Sequence, residues 1–593
     1  MGMIKPLLPD LDMRQWRSLP HLQRIKPLAQ HWVDHGFGTP YAIHLLYVVK
    51  VAGYAIGGLA VAAATPGIGS LGNLGTWWFE LIVFQKIVIW TVLWEVIGIG
   101  CGSGPLTLRF LPPMGGLLYW LRPGTVRLAP WPRIPLTAGT RRGLLDVALY
   151  LIVLASAVWL LLSPGDPSRV PPGNTVGLID PVRLVPLVVV LVLLGLRDKT
   201  IFLAARGEHY WVTLLVFALP YADMVLGLKL VMVALWWGAA TSKLNRHFPF
   251  VVAVMISNSP LQRVKWFKRK FYRRFPEDLR PSQLAALAAH TGTVIEFTVP
   301  VVLLLSSGGT VTMIALAIMV LFHAHIFSTF PMGVPQEWNV FIIFSALVLF
   351  GHYAGVGFGD AGAPILLLLL AAALIAVVAL GNVAPRLVSF LPSMRYYAGN
   401  WATSLWCFRE GTEKVEGAED VLDRNIRKVS ARPVAQLSKL YGPEVADMLL
   451  YKGLAWRAMH THGRALMGLL PRAVPDLDAY AIREGEAVAG MVIGWNFGDG
   501  HLHDESLLRA VQERCGYAEG DLRVVILESQ PIHRQCQHYR IVDAATGLIE
   551  EGYVDVADMV SRQPWLDGDD PDSNGTVPVR DVRRDPSVVT LNR

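Results

Sequence analysis

The sequence predicts an all-α polytopic membrane bundle of about ten spans followed by a small cytoplasmic α/β domain, and three observations carry that prediction. Between Tyr41 and Val383 roughly ten apolar stretches recur, each near the ~20 residues a helix needs to cross a ~30 Å hydrocarbon core. Hydrophobic residues make up 53% of the 593 and charged residues only 17%, rich and poor against soluble averages. From Arg386 the composition turns to that of a soluble domain. Lipid offers a bare backbone no hydrogen-bond partners, so spans at this density must be helices.

The organisation read from these shifts is an N-terminal arm over 1–40, a membrane domain over 41–385, a cytoplasmic domain over 386–565 and a disordered tail over 566–593. Met1–Gly38 has no apolar core of a signal peptide, so none is expected to be cleaved. Instead Met13–Phe37 mixes Trp, Leu, Arg and Lys. That suits either an amphipathic helix on the membrane surface or a solvated arm broken by Pro20 and Pro27.

The spans are expected near 41–64, 77–100, 143–163, 182–197, 201–220, 222–243, 282–306, 309–330, 337–356 and 363–384. The stretch Ile201–Lys243 holds Arg206, Glu208, His209, Pro220, Asp223 and Lys229, so one of its pieces could be re-entrant. Phe248–Ile256 is too short to cross and reads as an interfacial half-helix. Leu108–Trp131 reads as an interfacial loop with several prolines. Basic residues cluster in the N-terminal arm, in the loop after the second span, at Arg197–Lys199 and at Arg263–Arg274. All four fall on one side when ten spans are counted, which places both termini in the cytoplasm. Trp266, Phe267, Phe271 and Tyr272 interleave the cations of Arg263–Arg274, a composition suited to anionic headgroups. Nucleic acid is not an expected partner, because that run lies between two spans and the net charge is only +7.

Ionisable residues inside spans are the candidate site, since burying them in lipid is costly unless they face the bundle interior. The set is Lys243, His290, Glu296, His323, His325 and Glu337. Lys50, Glu80, Lys86 and Glu95 are further intramembrane charges; Glu80 and Lys243 lie near span ends and could snorkel outward. His290 and Glu296 are separated by about 240° around a helix, and His323 and His325 by about 200°. One narrow face cannot hold either pair. His323 and His325 do not have the i,i+4 spacing of a zinc pair, so a metal site is not expected there. Ser328–Pro335 cannot stay regular helix, because Pro331 and Pro335 remove donors, and irregular backbone at this depth suits a cavity wall. Four cysteines, Cys101, Cys407, Cys515 and Cys536, show neither CxxC spacing nor a dense framework, which argues against a disulfide scaffold.

In the C-terminal part, aromatic-rich Arg395–Phe408 is expected to tuck against the membrane domain. Glu413–Lys439, Pro443–Leu470 and Glu505–Cys515 read as helices. Ala487–Phe497 and Leu522–Gln530 read as strands, and Gln537–Asp543 with Leu548–Val556 as a hairpin turning at Ala544–Gly547. Trp495–Asp504 reads as a solvated loop in which Asp504 caps the next helix. His501, His503, His533 and His538 have no diagnostic spacing, and the Trp495–Asp504 loop is neither a GxGxxG nor a Walker loop, so it specifies no nucleotide.

Four segments carry a resemblance: His31–Lys50, AATSKLNRHFPFVVAVMISNSP, HAHIFSTFPMGVPQEWN and MRYYAGNWATSLWCFRE. Over nearly the full chain they resemble an uncharacterised actinobacterial, mycobacterial-type family of multi-pass membrane proteins. The resemblance implies a plasma-membrane protein and supplies no chemistry. Trp236–Lys243 and the histidine-bearing helix ending in Phe330–Pro331 are also similar to the membrane module of vitamin K-dependent gamma-carboxylase-like proteins. That likeness implies a lysine base at Lys243, although no luminal carboxylase-like domain follows here.

Two function classes result. One is a lipid- or quinone-modifying membrane enzyme, with Lys243 or one of His290, His323 and His325 as base and Glu296 or Glu337 orienting or protonating. The other is a transporter or scaffold of envelope-lipid machinery, in which the same charges pair across helices or relay protons. Broken spans suit transport, but the sequence holds no inverted repeat.

Overall fold

The computed structural model describes residues 2–100, 115–203, 206–329, 336–389, 391–412, 426–495, 499–565 and 576–584. Two short helices, α1 (Met13–Ser18) and α2 (Ile25–His35), precede α3 (Tyr41–Ala63) and α4 (Leu81–Val96). After α5 (Gly115–Trp120) come α6 (Leu144–Leu162), α7 (Pro181–Arg197), α8 (Thr200–Leu203), α9 (Gly207–Val216) and α10 (Tyr221–Ser242). Then follow α11 (Phe248–Asn258), α12 (Lys265–Arg269), a small hairpin of β1 (Tyr272–Arg274) and β2 (Asp278–Pro281), α13 (Gln283–Leu305) and α14 (Gly309–Phe327). The bundle ends with α15 (Gln336–Ala346), α16 (Pro364–Val383) and one turn, α17 (Arg395–Ala398).

Among the described residues six helices are long and apolar enough to cross a membrane: α3, α6, α10, α13, α14 and α16. The other four expected spans form shorter helices. The second is the 16-residue α4 and the fourth the 17-residue α7. The fifth is divided between α8 and the 10-residue α9, and the ninth is the 11-residue α15 continued by a π turn, Leu347–His352. Between α8 and α9, Arg206 adopts a left-handed φ of 54°, a conformation costly for a side-chain-bearing residue; its ion pair with Glu95 anchors it. Composition sorts the long helices by depth: 72% of the apolar window of α10 is buried in protein against 11% for α16. Thus α10 is central and α16 peripheral. Of the loop expected over Leu108–Trp131, residues 101–114 lie outside the described residues, and the rest contains α5 and a bridge from Val126 to Arg141.

The N-terminal arm packs one face against the rest of the protein. Asp12 caps α1 through its carboxylate, and Pro27 falls in the first turn of α2, where its missing N–H costs nothing. Ile25, Leu28, Ala29, Trp32 and Val33 bury one face of α2 against α11 and the helix Pro443–Ala458. Arg24 donates to the Tyr451 hydroxyl at 2.9 Å. The arm and the C-terminal part therefore share one side of the bundle.

Beyond the bundle lies a six-stranded antiparallel sheet, in the order β4-β3-β5-β6-β7-β8. Its strands are β3 (Thr403–Arg409), β4 (Tyr480–Glu484), β5 (Leu522–Leu527), β6 (Cys536–Asp543), β7 (Gly547–Asp555) and β8 (Arg580–Arg584). The β6–β7 hairpin and β5 fall where the alternation placed them. Several other expectations need correction. Ala487–Phe497 is not a strand: Gly485–Ile493 is a helix, capped by the Glu484 carboxylate and stopped by Gly494 at φ 82°. All nine of its residues are buried, and a fully buried run shows no period to separate helix from strand. Pro443–Leu470 divides at His460 into two helices, Pro443–Ala458 and Thr461–Ala473. Of the aromatic platform, α17, Gly399 and Trp401 meet the preceding helices, while Thr403 onward enters the sheet. The tail is ordered in part: Arg584 in β8 donates to Glu550 at 2.8 Å. The start of the expected helix Glu413–Lys439 (413–425) and of the tail (566–575), with 585–593, lie outside the described residues; the observed helix is Arg432–Tyr441.

Candidate functional site

A cavity of about 580 Å³ opens between α10, α11, α13, α14 and α15. Its wall is mostly apolar, with Leu235, Phe248, Val251, Phe322 and Ile342 among the lining side chains. Four of the expected site residues meet there: Lys243, Glu296, His323 and His325.

Lys243 follows the last residue of α10 as its C-cap, where the carbonyl end of the helix dipole favours a cation. It does not snorkel; both it and Glu296 are 4% exposed, and its Nζ donates to Glu296 Oε2. The ammonium also lies 5.0 Å from the Phe248 ring centroid and 5.5 Å from that of Phe322, a cation–π setting. Glu296 turns inward from α13, whereas His290, about 240° away on the same helix, is exposed on the outer face. His290 therefore stands outside the site.

His323 is buried and fully engaged. The Trp236 indole N–H can only donate, and it lies 2.9 Å from His323 Nε2. That nitrogen must accept, so Nδ1 carries the proton and donates to Asn339 Oδ1 at 3.1 Å. A neutral imidazole with both nitrogens committed positions its neighbours and has no lone pair left for a substrate. His325 also lines the cavity but is exposed. Though about 200° apart on α14, both histidines are in the lining, His323 buried and His325 exposed. Ser328 is part of the same lining; the remainder of the expected irregular wall, 330–335, lies outside the described residues.

Glu337 belongs elsewhere. It is fully buried, 3.1 Å from Lys50 Nζ, and accepts from Trp94 Nε1 at 3.2 Å. Other intramembrane charges are satisfied locally. Lys86 donates to Leu161 O at 2.8 Å, and Lys229 to Tyr353 O and Val356 O at 2.9 and 2.7 Å. Glu80 accepts from Val176 N at 3.1 Å, and so does not snorkel. Arg142 pairs with Asp198 at 2.7 Å and Arg197 with Asp146 at 2.6 Å, at the ends of α6 and α7.

The sequence reading missed part of the wall. Met394 and Gly399, flanking α17, and Trp401, Trp456 and His460, beyond the bundle, line the cavity from the C-terminal side. Gly399 permits this approach: it sits at φ +76°, and a Cβ there would lie 2.4 Å from Val251 Cγ2. The compact run Trp456-Arg-Ala-Met-His460-Thr-His462 was the available signal, but helical periodicity alone does not say which distant surface it meets.

The segment expected to be a solvated loop is instead buried at Asp499, Leu502 and His503; 496–498 lie outside the described residues. Asp504 does cap the following helix, accepting from Ser506 N at 2.8 Å. His501 bridges Asp499 and Glu528, at 2.9 Å each. Burial alone would lower its pKa, but the two carboxylates outweigh it and hold the imidazole well above its ordinary 6.5. In turn burial would raise Asp499 and Glu528, and the imidazolium brings both below their ordinary values. This triad joins the 499–504 segment to the strand-end residue Glu528.

Among the described residues no group of three or more His, Cys, Asp or Glu side chains could hold a metal ion. Residues 1–577 match the family described as "Transmembrane protein of unknown function (DUF3556)". No curated protein and no solved structure matches the chain.

Proposed function

We propose a function from one premise: the chain belongs to the DUF3556 family of transmembrane proteins, and its helices enclose a cavity fitted to an apolar molecule. The reading is a lipid- or quinone-modifying membrane enzyme whose substrate lies in that cavity with its polar group at Lys243 and Glu296. One observation carries it: about 580 Å³ of mostly apolar volume with a single buried ion pair in its wall. Small-molecule sites have this character, an apolar enclosure with a few placed polar groups. Lys243 is a donor already bonded to a carboxylate, so it serves as an electrostatic anchor in preference to a free base. His323 positions Trp236 and Asn339.

The mouth supports loading from the bilayer. Leu261 and Gln262 line the cavity, and the basic run begins at the next residue. Arg263, Lys265, Trp266, Lys270, Arg273 and Arg274 are exposed, available to anionic headgroups. Lys268 and Arg269 bond within the protein, to Ser257 O at 2.7 Å and to Asp34 at 2.6 Å. In this reading α4, α7, α9 and α15 complete ten crossings of the plasma membrane. The arm over 1–40 and the domain over 386–565 then share the cytoplasmic side, and the relatives are actinobacterial. A scaffold is the second reading, favoured by pairs such as Lys50–Glu337 that are closed on themselves.

The test is extraction and mass spectrometry of what remains bound to the protein purified from its native membrane in mild detergent. A stoichiometric lipid or isoprenoid quinone is expected, and Ala239→Trp, which fills the cavity, should remove it. Purified protein with no bound amphiphile, or retention unchanged by Ala239→Trp, would overturn the reading.

A further inference from the structure

The histidine that the cavity offers to a ligand is His460, supplied from beyond the bundle. It is 2% exposed and lies in the cavity wall. Its Nδ1 stands 2.9 Å from the carbonyl oxygen of Trp456. A carbonyl only accepts, so Nδ1 carries the proton and Nε2 keeps a lone pair. No described residue donates to that Nε2, in contrast to His323. The ring is held by packing: His462 stacks on it at 5.3 Å, and the Trp456 and Trp401 rings lie at 5.2 and 5.5 Å. Burial lowers its pKa to about 3, in keeping with a neutral acceptor. Lys243 and His460 line the same cavity.

The buried polar groups of the wall then include two donors, the Lys243 ammonium and the unpaired Trp456 indole N–H, and two acceptors, the Glu296 carboxylate and His460 Nε2. Phosphodiesters, carboxylates, esters and quinone carbonyls present acceptors only, and would leave His460 facing a lone pair. We infer that the cavity selects an amphiphile whose polar end is a hydroxyl, a long-chain alcohol or a hydroquinone, with His460 accepting its O–H and Lys243 donating to its oxygen. This rests on the proposal that the cavity holds an apolar chain and names the head group of its occupant.

The experiment uses full-length protein in nanodiscs and radiolabelled 1-tetradecanol as probe. Unlabelled 1-tetradecanol and its methyl ether, alike in chain but differing in the O–H, compete for it. The alcohol is expected to displace the probe at about tenfold or more lower concentration than the ether, the effect of leaving a buried acceptor unpaired. His460→Phe should bring the two competitors to within about twofold of each other, and His460→Gln, which keeps an acceptor, should retain part of the preference. His460→Leu replaces the Phe variant where that fails to fold. Equal displacement by alcohol and ether in the wild type overturns the hydroxyl selection while leaving the apolar cavity standing. A preference that survives both apolar variants overturns the role of His460. Absence of saturable probe binding overturns the cavity reading itself.

Discussion

Lys243–Glu296 joins α10 to α13, and Lys50–Glu337 joins α3 to α15. The two pairs are built from the same residue types in the same bundle, and both are nearly sealed from solvent. They differ in what lies beside them. Lys243 and Glu296 face about 580 Å³ of open volume. Lys50 and Glu337 face protein: Nζ lies 5.1 Å from the Tyr47 ring centroid and donates to Gly100 O at 3.2 Å, while Trp94 donates to the carboxylate. A buried charge in a membrane helix is therefore a marker of cost, and it becomes a site only where volume adjoins it. Breaking each pair in turn sharpens that contrast.

The largest effect is expected at the closed pair. Lys50→Met leaves Glu337 buried without its cation, and losing one partner of such a pair costs about 3–5 kcal/mol. Replacing both, Lys50→Met with Glu337→Met, should recover most of that loss, because two apolar side chains leave no charge uncompensated. Thermal unfolding of the purified variants measures both; a single variant as stable as the wild type would break the contrast. At the cavity the order of effects reverses. Lys243→Met leaves Glu296 beside open volume that water can reach, so its stability loss should be smaller than that of Lys50→Met. Retention of the bound amphiphile should instead fall about tenfold, the loss of a charge-assisted hydrogen bond, whereas the stable Lys50→Met, Glu337→Met double variant should retain it.

This contrast also shows what could be read from the residues. Lys243, Glu296 and His323 are legible because each is an ionisable group in an apolar helix, and that rule holds without knowledge of packing. The same rule selected Glu337 and His290 with equal force, since it does not say which way a helix face turns. His460 was invisible to it. It lies in a soluble-type sequence, and its importance comes from a long-range approach that Gly399 permits. The short helices followed the same division. Apolar length showed α3, α6, α10, α13, α14 and α16 well, but α4, almost wholly buried, runs for only 16 residues, and its lack of a polar face gave no sign of where it would end.

The Asp499–His501–Glu528 triad offers a milder test, outside the bundle. Asp499 and Glu528 are depressed in the fold, so their stabilisation is present above their ordinary values of 3.8 and 4.5 and is lost as pH falls through the folded values. His501 is raised, so its stabilisation is complete below 6.5 and is lost as pH rises through its higher folded value. Thermal stability should therefore be greatest between 4.5 and 6.5 on account of this group. His501→Gln should flatten both flanks, as seen by melting temperature against pH. A wild-type profile with no maximum there would show that the triad does not contribute to the stability of the C-terminal part.

The smallest effect belongs to His290. It shares α13 with Glu296, and by residue type alone it ranked equally as a base. Because it projects from the outer face, His290→Leu removes no described contact of the cavity and replaces an exposed polar ring with an apolar side chain. The variant should lie within about 0.5 kcal/mol of the wild type in stability and should retain the bound amphiphile unchanged. A loss of retention comparable with that of Lys243→Met would mean that the occupied face of α13 is the outer one, and that the enclosed volume beside Glu296 is incidental.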